Sequence, residues 1–318
     1  MRILITGGAG FLGAALANRL VGPAGGHTAL VLDDLSAGDP KRLDPQVLFT
    51  RGDVKDVPKL WTMLQGVDCV YHLAARVRVP ESIYYPGDYN DCNVGGTVAL
   101  MEAVRDTGVK RVVFASSAAL YGEQATQPIS EGQRPNPNSP YGVSKLAAEY
   151  YVSTLGDLNG IETVSLRIFN AYGPGQDLPP SYPPVIPHLL RQALTGGSLV
   201  IFGEGNQTRD FVYVDDVVDA LVAVATAREV NRAVINIGSG QETSIHDLAG
   251  RVARATGREA DVLYNRTQGR GVTRLVADVA LAQRLLGWSP STDLARGLRL
   301  TLEHDLRFGG SSQTGLSR

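Results

Sequence analysis

Residues 3–13 read I-L-I-T-G-G-A-G-F-L-G: an apolar strand, a glycine-rich turn, and the opening of a helix. Each glycine has a physical task. Gly7 permits a sharp turn, and Gly10 lets backbone N–H groups approach a pyrophosphate. Gly13 lets the helix lie close on the strand, with its N-terminus and dipole facing the phosphates. Gly8, Gly10 and Gly13 also satisfy the G-x-G-x-x-G spacing. Asp33 ends the next strand, 20 residues after Gly13, where a carboxylate accepts both ribose hydroxyls and repels a 2′-phosphate. The stretch therefore predicts a dinucleotide site that prefers NAD to NADP. A plain glycine-rich turn is the bland alternative, and the strand before and helix after argue against it.

Outward from this turn, short apolar runs alternate with helical periodicity, the pattern of βαβ units and a parallel sheet. Strands are predicted at Arg2–Thr6, Ala29–Leu32, Val47–Arg51, Cys69–Leu73, Arg111–Ala115 and Thr163–Arg167. Helices are predicted at Phe11–Leu20, Val57–Leu64, Asn90–Thr107 and Tyr141–Leu158, the last preceded by Pro135, Pro137 and Pro140. Residues 173–187 hold six prolines and read as a long surface loop. Asp210–Ala227 reads as a helix and Ala233–Ile237 as a strand. The expected architecture is α/β: a Rossmann-type doubly wound parallel sheet with a smaller α+β substrate domain. The Rossmann domain would take residues 1–170, with a returning segment at about 210–240. The substrate domain would take 171–209 and 241–307, and 308–318 would form a disordered tail.

The chain has 318 residues, 43% hydrophobic and 19% charged, ordinary values for a water-soluble globular protein. A formal net charge of −2 gives no global pull toward nucleic acid or acidic membranes, so local groups must meet any anionic ligand. Two cysteines, Cys69 and Cys92, exclude a disulfide framework and suit a reducing compartment. No signal peptide pattern or membrane-length apolar run is present. A cytoplasmic protein without a metal site is expected.

Tyr141-Gly-Val-Ser-Lys145 places a phenol and an ammonium at i and i+4 on one helix face. A free tyrosine titrates near about 10, too high for a base at neutral pH. A neighbouring lysine and the positive ring of NAD favour the phenolate. Ala115-Ser116-Ser117 ends a strand at the carboxyl edge, where ligands of open α/β sheets bind. A serine there can hydrogen-bond a substrate oxygen and relay its proton to Tyr141; spacing does not choose between Ser116 and Ser117. Asp53 and Val54 are placed to border the adenine. The small residues of Leu73-Ala74-Ala75 would let the backbone approach the cofactor. For His72, a packed histidine is at least as good a reading as a catalytic one.

Together these residues resemble the extended short-chain dehydrogenase/reductase family, in its NAD-dependent sugar-nucleotide epimerase/dehydratase branch. The resemblance runs from Met1 to about His304 through T-G-G-A-G-F-L-G, L-D-D-L, R-G-D-V, H-L-A-A, N-V-G-G-T, S-S-A-A-L-Y-G, Y-G-V-S-K, R-I-F-N-A-Y-G-P-G and R-D-F-V-Y-V-D-D. It implies Tyr141 as base, Lys145 as its partner and Ser117, four residues before Tyr121, as proton relay. Ser116 then becomes a cofactor-side residue. It further implies that Gly7, Gly10, Phe11, Leu12, Gly13, Asp33, Asp34 and Phe169 border NAD, and that Asn93 is structural or ligand-adjacent. Asn170 and Arg209 would reach the diphosphate of a UDP- or dTDP-sugar. The stretch before Ala277-Asp278 departs from the family pattern. A second diphosphate arginine is open among Arg266, Arg270 and Arg274, with Arg270 favoured.

Dehydratases of the branch carry Asp-Glu where this chain has Ala118-Ala119, so the resemblance points away from dehydration and toward 4-epimerases of the UDP-glucose/UDP-galactose kind. A UDP-glucuronate epimerase or decarboxylase, or another 4-keto enzyme, is the alternative. Residues 179–187 hold no Arg or Lys to meet a uronate carboxylate, which weighs against the first of these. A non-catalytic NAD-binding regulator is disfavoured because Ser117, Tyr141 and Lys145 are all retained. Leu275 falls near a position that gates N-acetyl groups in the family. A homodimer, built on the helices from Asn90 and Tyr141, is expected from the resemblance.

Overall fold

The computed structural model describes residues 1–23, 25–266 and 271–309. Seven parallel strands form the central sheet: β1 (Arg2–Thr6), β2 (Thr28–Asp33), β3 (Leu48–Arg51), β4 (Cys69–His72), β5 (Arg111–Ser117), β6 (Glu162–Ile168) and, after β7 (Asn170–Tyr172), β8 (Leu199–Phe202) and β9 (Thr208–Tyr213), the late strand β10 (Ala233–Ile237). Their order is β3-β2-β1-β4-β5-β6-β10. Chain direction across the sheet reverses between β1 and β4, the switch point where such sheets bind ligands beyond their carboxyl ends.

Helices α1 (Phe11–Val21), α2 (Val57–Met63), α5 (Gly96–Arg105), α6 (Pro140–Asn159) and α8 (Val214–Thr226) cover both faces, with α3 (Val79–Tyr84) and α4 (Pro86–Asn90) packed on α6; α7 (Val185–Leu194) lies apart from them. Alternation along the strands feeds two apolar layers. Ile3 and Ile5 join Leu16, Leu20, Val217 and Leu221 on one face. Leu4 joins Leu60, Leu100, Val104 and Val152 on the other. A strand buried on both faces must be apolar throughout, which is why β1 shows no polar alternation.

The smaller region contains α7, β8, α9 (Ile245–Thr256), α10 (Ala280–Leu286) and α11 (Leu294–His304). Its two small sheets are β11 (Glu242–Ser244) with β9 and β7, and β12 (Val262–Asn265) with β8. Several expectations change here. Asp210–Tyr213 is strand, because β9 is gripped by β7 on one side and β11 on the other; helix begins at Val214. Pro184 and Pro187 do not prevent helix α7: they occupy its cap and first turn, where no intrahelical N–H bond is needed. The predicted helix 90–107 is interrupted by a wider turn over Asp91–Gly95 before α5. The tail does not begin at Phe308. That ring is buried in the core, and its N–H donates to the Asp305 carbonyl.

Candidate functional site

At the switch point the ligand surface is main chain. Gly7 has φ +69°, and a Cβ on it would lie 2.6 Å from the Ala74 nitrogen, so the turn and the Leu73-Ala74-Ala75 stretch are in direct backbone contact. A Cβ on Gly13 would lie 2.3 Å from the Gly7 carbonyl oxygen, which is why α1 can start so close to β1. Gly8 differs: its missing Cβ makes room for Val31 of β2, a packing role. At Gly10 only the Gly7 oxygen stands near, at 3.2 Å. The first turn of α1, Phe11-Leu12-Gly13, is capped by no side chain and holds no acidic residue. Uncapped amides at an open helix N-terminus suit a pyrophosphate.

Asp33 is buried at the end of β2, its carboxylate accepting from Ala9 N–H at 3.0 Å and Leu35 N–H at 2.8 Å. Burial raises its pKa, the two amide bonds oppose that, and Asp34 adds to it. Asp34 is exposed and accepts from Ser36 N–H. Asp53 pairs with Lys55, while Val54 is buried against the Gly96 backbone.

Helix α6 carries the reactive group. Ser139 caps it, accepting from Gly142 N–H at 3.1 Å, and Pro140 opens it. The Tyr141 phenol faces Ser117 at the end of β5. Burial raises the Tyr141 pKa and the neighbouring Ser117 hydroxyl opposes the rise. One turn on, Lys145 is buried with Nζ 4.1 Å from the centre of the Phe114 ring, and among the described residues it donates no hydrogen bond. Burial lowers Lys145 to about 7, with Cys92 and Glu149 pulling the other way. A buried ammonium without a protein acceptor suits ligand hydroxyls such as those of a ribose.

His72 is a packed residue. Its two nitrogens meet Thr6 Oγ1 at 2.7 Å and Thr97 Oγ1 at 2.9 Å, and burial lowers its pKa to about 3. Two expected cofactor residues are committed elsewhere. Ser116 donates to Glu149 Oε2 at 2.6 Å, two helical turns along α6 from Tyr141, which Ser117 faces. Asn93 accepts from Arg76 N–H and donates to Arg76 O and Ser144 Oγ, so it ties the loop after β4 to α6. That loop also braces the reactive group. Ser82 Oγ accepts from Tyr141 N–H, and the Tyr89 ring meets the Tyr141 ring edge-on at 6.3 Å.

Sequence reading missed the polar set beneath this group, Glu149, Arg167, Tyr121 and Asn236. Signals existed: Glu149 continues the Tyr141–Lys145 stripe by one more turn, and Arg167 is a charged residue between Leu166 and Ile168 in a strand of parallel-sheet pattern.

On the substrate side, Asn170 pairs in register with Phe211, which sets it beside the strand carrying Arg209. Arg209 is largely buried and lacks an ion-pair partner among the described residues. Nη1 donates to the carbonyls of Thr208 and Val272, and burial lowers its pKa while Glu123 raises it. Phe169 and Leu275 lie in one buried cluster with Ala118, Tyr121 and Ile129. Arg274 is exposed and paired with Glu242, and Arg270 lies outside the described residues. Among the described residues no His, Cys, Asp and Glu cluster is placed to hold a metal, and no helix is long and apolar enough to cross a membrane.

Residues 3–238 match the model of the NAD dependent epimerase/dehydratase family. A putative UDP-glucose 4-epimerase of Methanocaldococcus jannaschii is 37% identical, over 93% of this chain and 96% of its own. The fold superimposes on the UDP-glucose 4-epimerase of Thermotoga maritima, solved with UDP-glucose, with a TM-score of 0.91 at 33% identity, covering 96% and 98% of the two chains. It also superimposes on the UDP-glucuronic acid 4-epimerase of Bacillus cereus, solved with UDP-glucuronic acid and NAD, with a TM-score of 0.86 at 31% identity, covering 95% and 98%.

Proposed function

We propose that this chain, which belongs to the NAD dependent epimerase/dehydratase family, inverts a UDP-hexose at C4, as between UDP-galactose and UDP-glucose, through a transient 4-keto sugar. The observation that carries this reading is Tyr141, buried, facing Ser117 and one helical turn from a buried lysine.

The glycine turn, the uncapped start of α1 and Asp33 would hold NAD, with Leu73-Ala74-Ala75 as its backbone neighbour. When bound, NAD supplies the hydride acceptor for C4 and returns the same hydride. Tyr141, as phenolate, takes the C4 hydroxyl proton, with Ser117 bridging the two oxygens. Lys145 as ammonium favours the phenolate and holds the ribose. Once the keto sugar has turned its other face, Tyr141 gives the proton back. Proton and hydride are both returned, so neither protein nor cofactor changes over a cycle. Ala118 and Ala119 offer no acid or base for water elimination, which supports epimerisation over dehydration.

Arg209 is the residue proposed to clamp the diphosphate. Its planar fork suits paired phosphate oxygens, and its burial without a carboxylate partner leaves that charge for a ligand. A homodimer through α6 is supported by the exposed apolar stripe Val143, Tyr150 and Leu158. A cytoplasmic setting fits the two unpaired cysteines.

The test incubates purified protein with UDP-galactose and, separately, UDP-glucuronate, without added NAD, and resolves the products. Interconversion of UDP-galactose and UDP-glucose is expected. Turnover of UDP-glucuronate alone would replace the hexose by a hexuronate, and turnover of neither would refute the reading.

A further inference from the structure

Beneath the reactive group runs a chain of buried polar side chains that the reaction above does not use. Glu149 accepts from Ser116 Oγ at 2.6 Å, from Arg167 Nη2 at 2.6 Å and from Arg167 Nε at 3.1 Å. Arg167 Nη1 donates to the Tyr121 hydroxyl at 2.9 Å, and its guanidinium carbon lies 4.8 Å from the centre of that ring. The Tyr121 hydroxyl donates to Asn236 Oδ1 at 2.7 Å, and Asn236 Nδ2 donates to Ile129 O at 2.8 Å. Glu149, Arg167, Tyr121 and Asn236 are each at most 4% exposed. One hydrogen-bonded line thus joins α6 to β5, β6 and β10.

Stability alone does not account for it. A buried ion pair is often no better than well-packed apolar residues of the same volume, whereas a fully satisfied polar network fixes geometry. The anchor points matter: Ser116 adjoins Ser117 on β5, and Glu149 stands one turn beyond Lys145 on α6. Each element that carries a reactive residue is therefore pinned next to that residue. The charge is placed as well. Lys145 faces Glu149 from its own helix, Cys92 from the turn before α5, and neutral His72 from β4. Glu149 is the one carboxylate of that set, and Arg167 of β6 holds it by two hydrogen bonds.

We propose that Glu149, clamped by Ser116 and Arg167, is a positioning residue: it fixes the turn bearing Lys145 against the strand bearing Ser117 and supplies the counter-charge that keeps Lys145 an ammonium. This rests on the reading of Tyr141 as base and Lys145 as its cation. Without the Glu149 carboxylate, burial drives Lys145 neutral, the Tyr141 phenolate loses its cation, and higher pH is needed to form it.

The experiment compares NAD-loaded wild type, Glu149→Gln, Glu149→Asp and the apolar double variant Glu149→Leu/Arg167→Met. Two readouts are taken against pH: kcat, and the ultraviolet difference absorption of the Tyr141 phenolate with Tyr141→Phe as blank. Glu149→Gln is expected to move the acid limb of kcat and the phenolate titration together to higher pH. Turnover at neutral pH should fall roughly tenfold, the change one pKa unit produces, with little change in KM, and Glu149→Asp should restore most of it. A fall in kcat by the same factor at every pH, with an unmoved phenolate titration, would overturn the proposal; so would wild-type behaviour. If Glu149→Gln fails to fold, the double variant decides, since it removes the counter-charge without stranding Arg167; an unmoved titration there refutes the proposal. The phenolate readout needs no sugar, so it stands even if the sugar assignment fails.

Discussion

Around Gly7–Gly13 the ligand surface is main chain, and around Arg209 it is side chain. In the first region a strand, a turn and a helix N-terminus that are contiguous in sequence present amides, and glycine is required at Gly7 and Gly13 because a Cβ there would meet backbone. In the second, Arg209 on β9, Asn170 on β7 and the segment near Val272 come from distant parts of the chain. A backbone site tolerates little change in residue type and so leaves a local signature. A side-chain site is assembled by packing and leaves scattered residues that look ordinary one by one.

Gly13→Val tests the first half of this contrast and carries the largest expected effect. Its Cβ would stand 2.3 Å from the Gly7 carbonyl and 2.6 Å from the Gly8 Cα, neither of which can yield without opening the turn. Overpacking of this kind costs about 1–3 kcal/mol or more. Loss of co-purified NAD and a lowered melting temperature are expected; NAD retained at the wild-type level would show that the turn is not built as described.

Arg209→Ala tests the second half. Removing a charged hydrogen-bond partner of a phosphate should cost roughly 1.5–3 kcal/mol, seen mainly as a raised KM for the UDP-sugar, with NAD content unchanged. Arg209→Lys should recover only part, because the ammonium lacks the fork. An equal loss of NAD would erase the distinction between the two regions.

A third test concerns Lys145 on α6, outside both regions. Its pKa falls from 10.5 to about 7 on folding because of burial. Between those values the unfolded chain binds more protons, so the group's penalty is greatest below pH 7 and fades as pH rises toward 10.5. Lys145→Met should therefore melt higher than wild type in the NAD-free form at pH 6, with the gap closing in alkaline buffer. A gap independent of pH would mean that the ammonium is better solvated than its burial indicates.

The strands were legible wherever burial on both faces forces an unbroken apolar run, as in Ile3–Ile5 and Val112–Phe114. Legibility failed at Asp210–Tyr213, where Phe211-Val212-Tyr213 favours strand but runs without a break into the helix at Val214, and pairing with β7 and β11 sets the boundary. It failed again at Val185, where the proline content of residues 173–187 masked a helix that needs no N–H at its first positions. The resemblance implies a cofactor-side Ser116 and a structural or ligand-adjacent Asn93; their side chains bond Glu149 and, in turn, Arg76 with Ser144, partners that no local spacing names.

Read locally, the chain already carries the glycine turn, Asp33 at a strand end and the Tyr141–Lys145 stripe. All three are local: glycines in one turn, a carboxylate at one strand end, and two residues one helical turn apart. Packing decides how Lys145 is stripped of water and that Glu149 is clamped by Ser116 and Arg167. Those depend on contacts between α6, β5, β6 and β10, elements up to about a hundred residues apart, whose mutual distances no local spacing encodes.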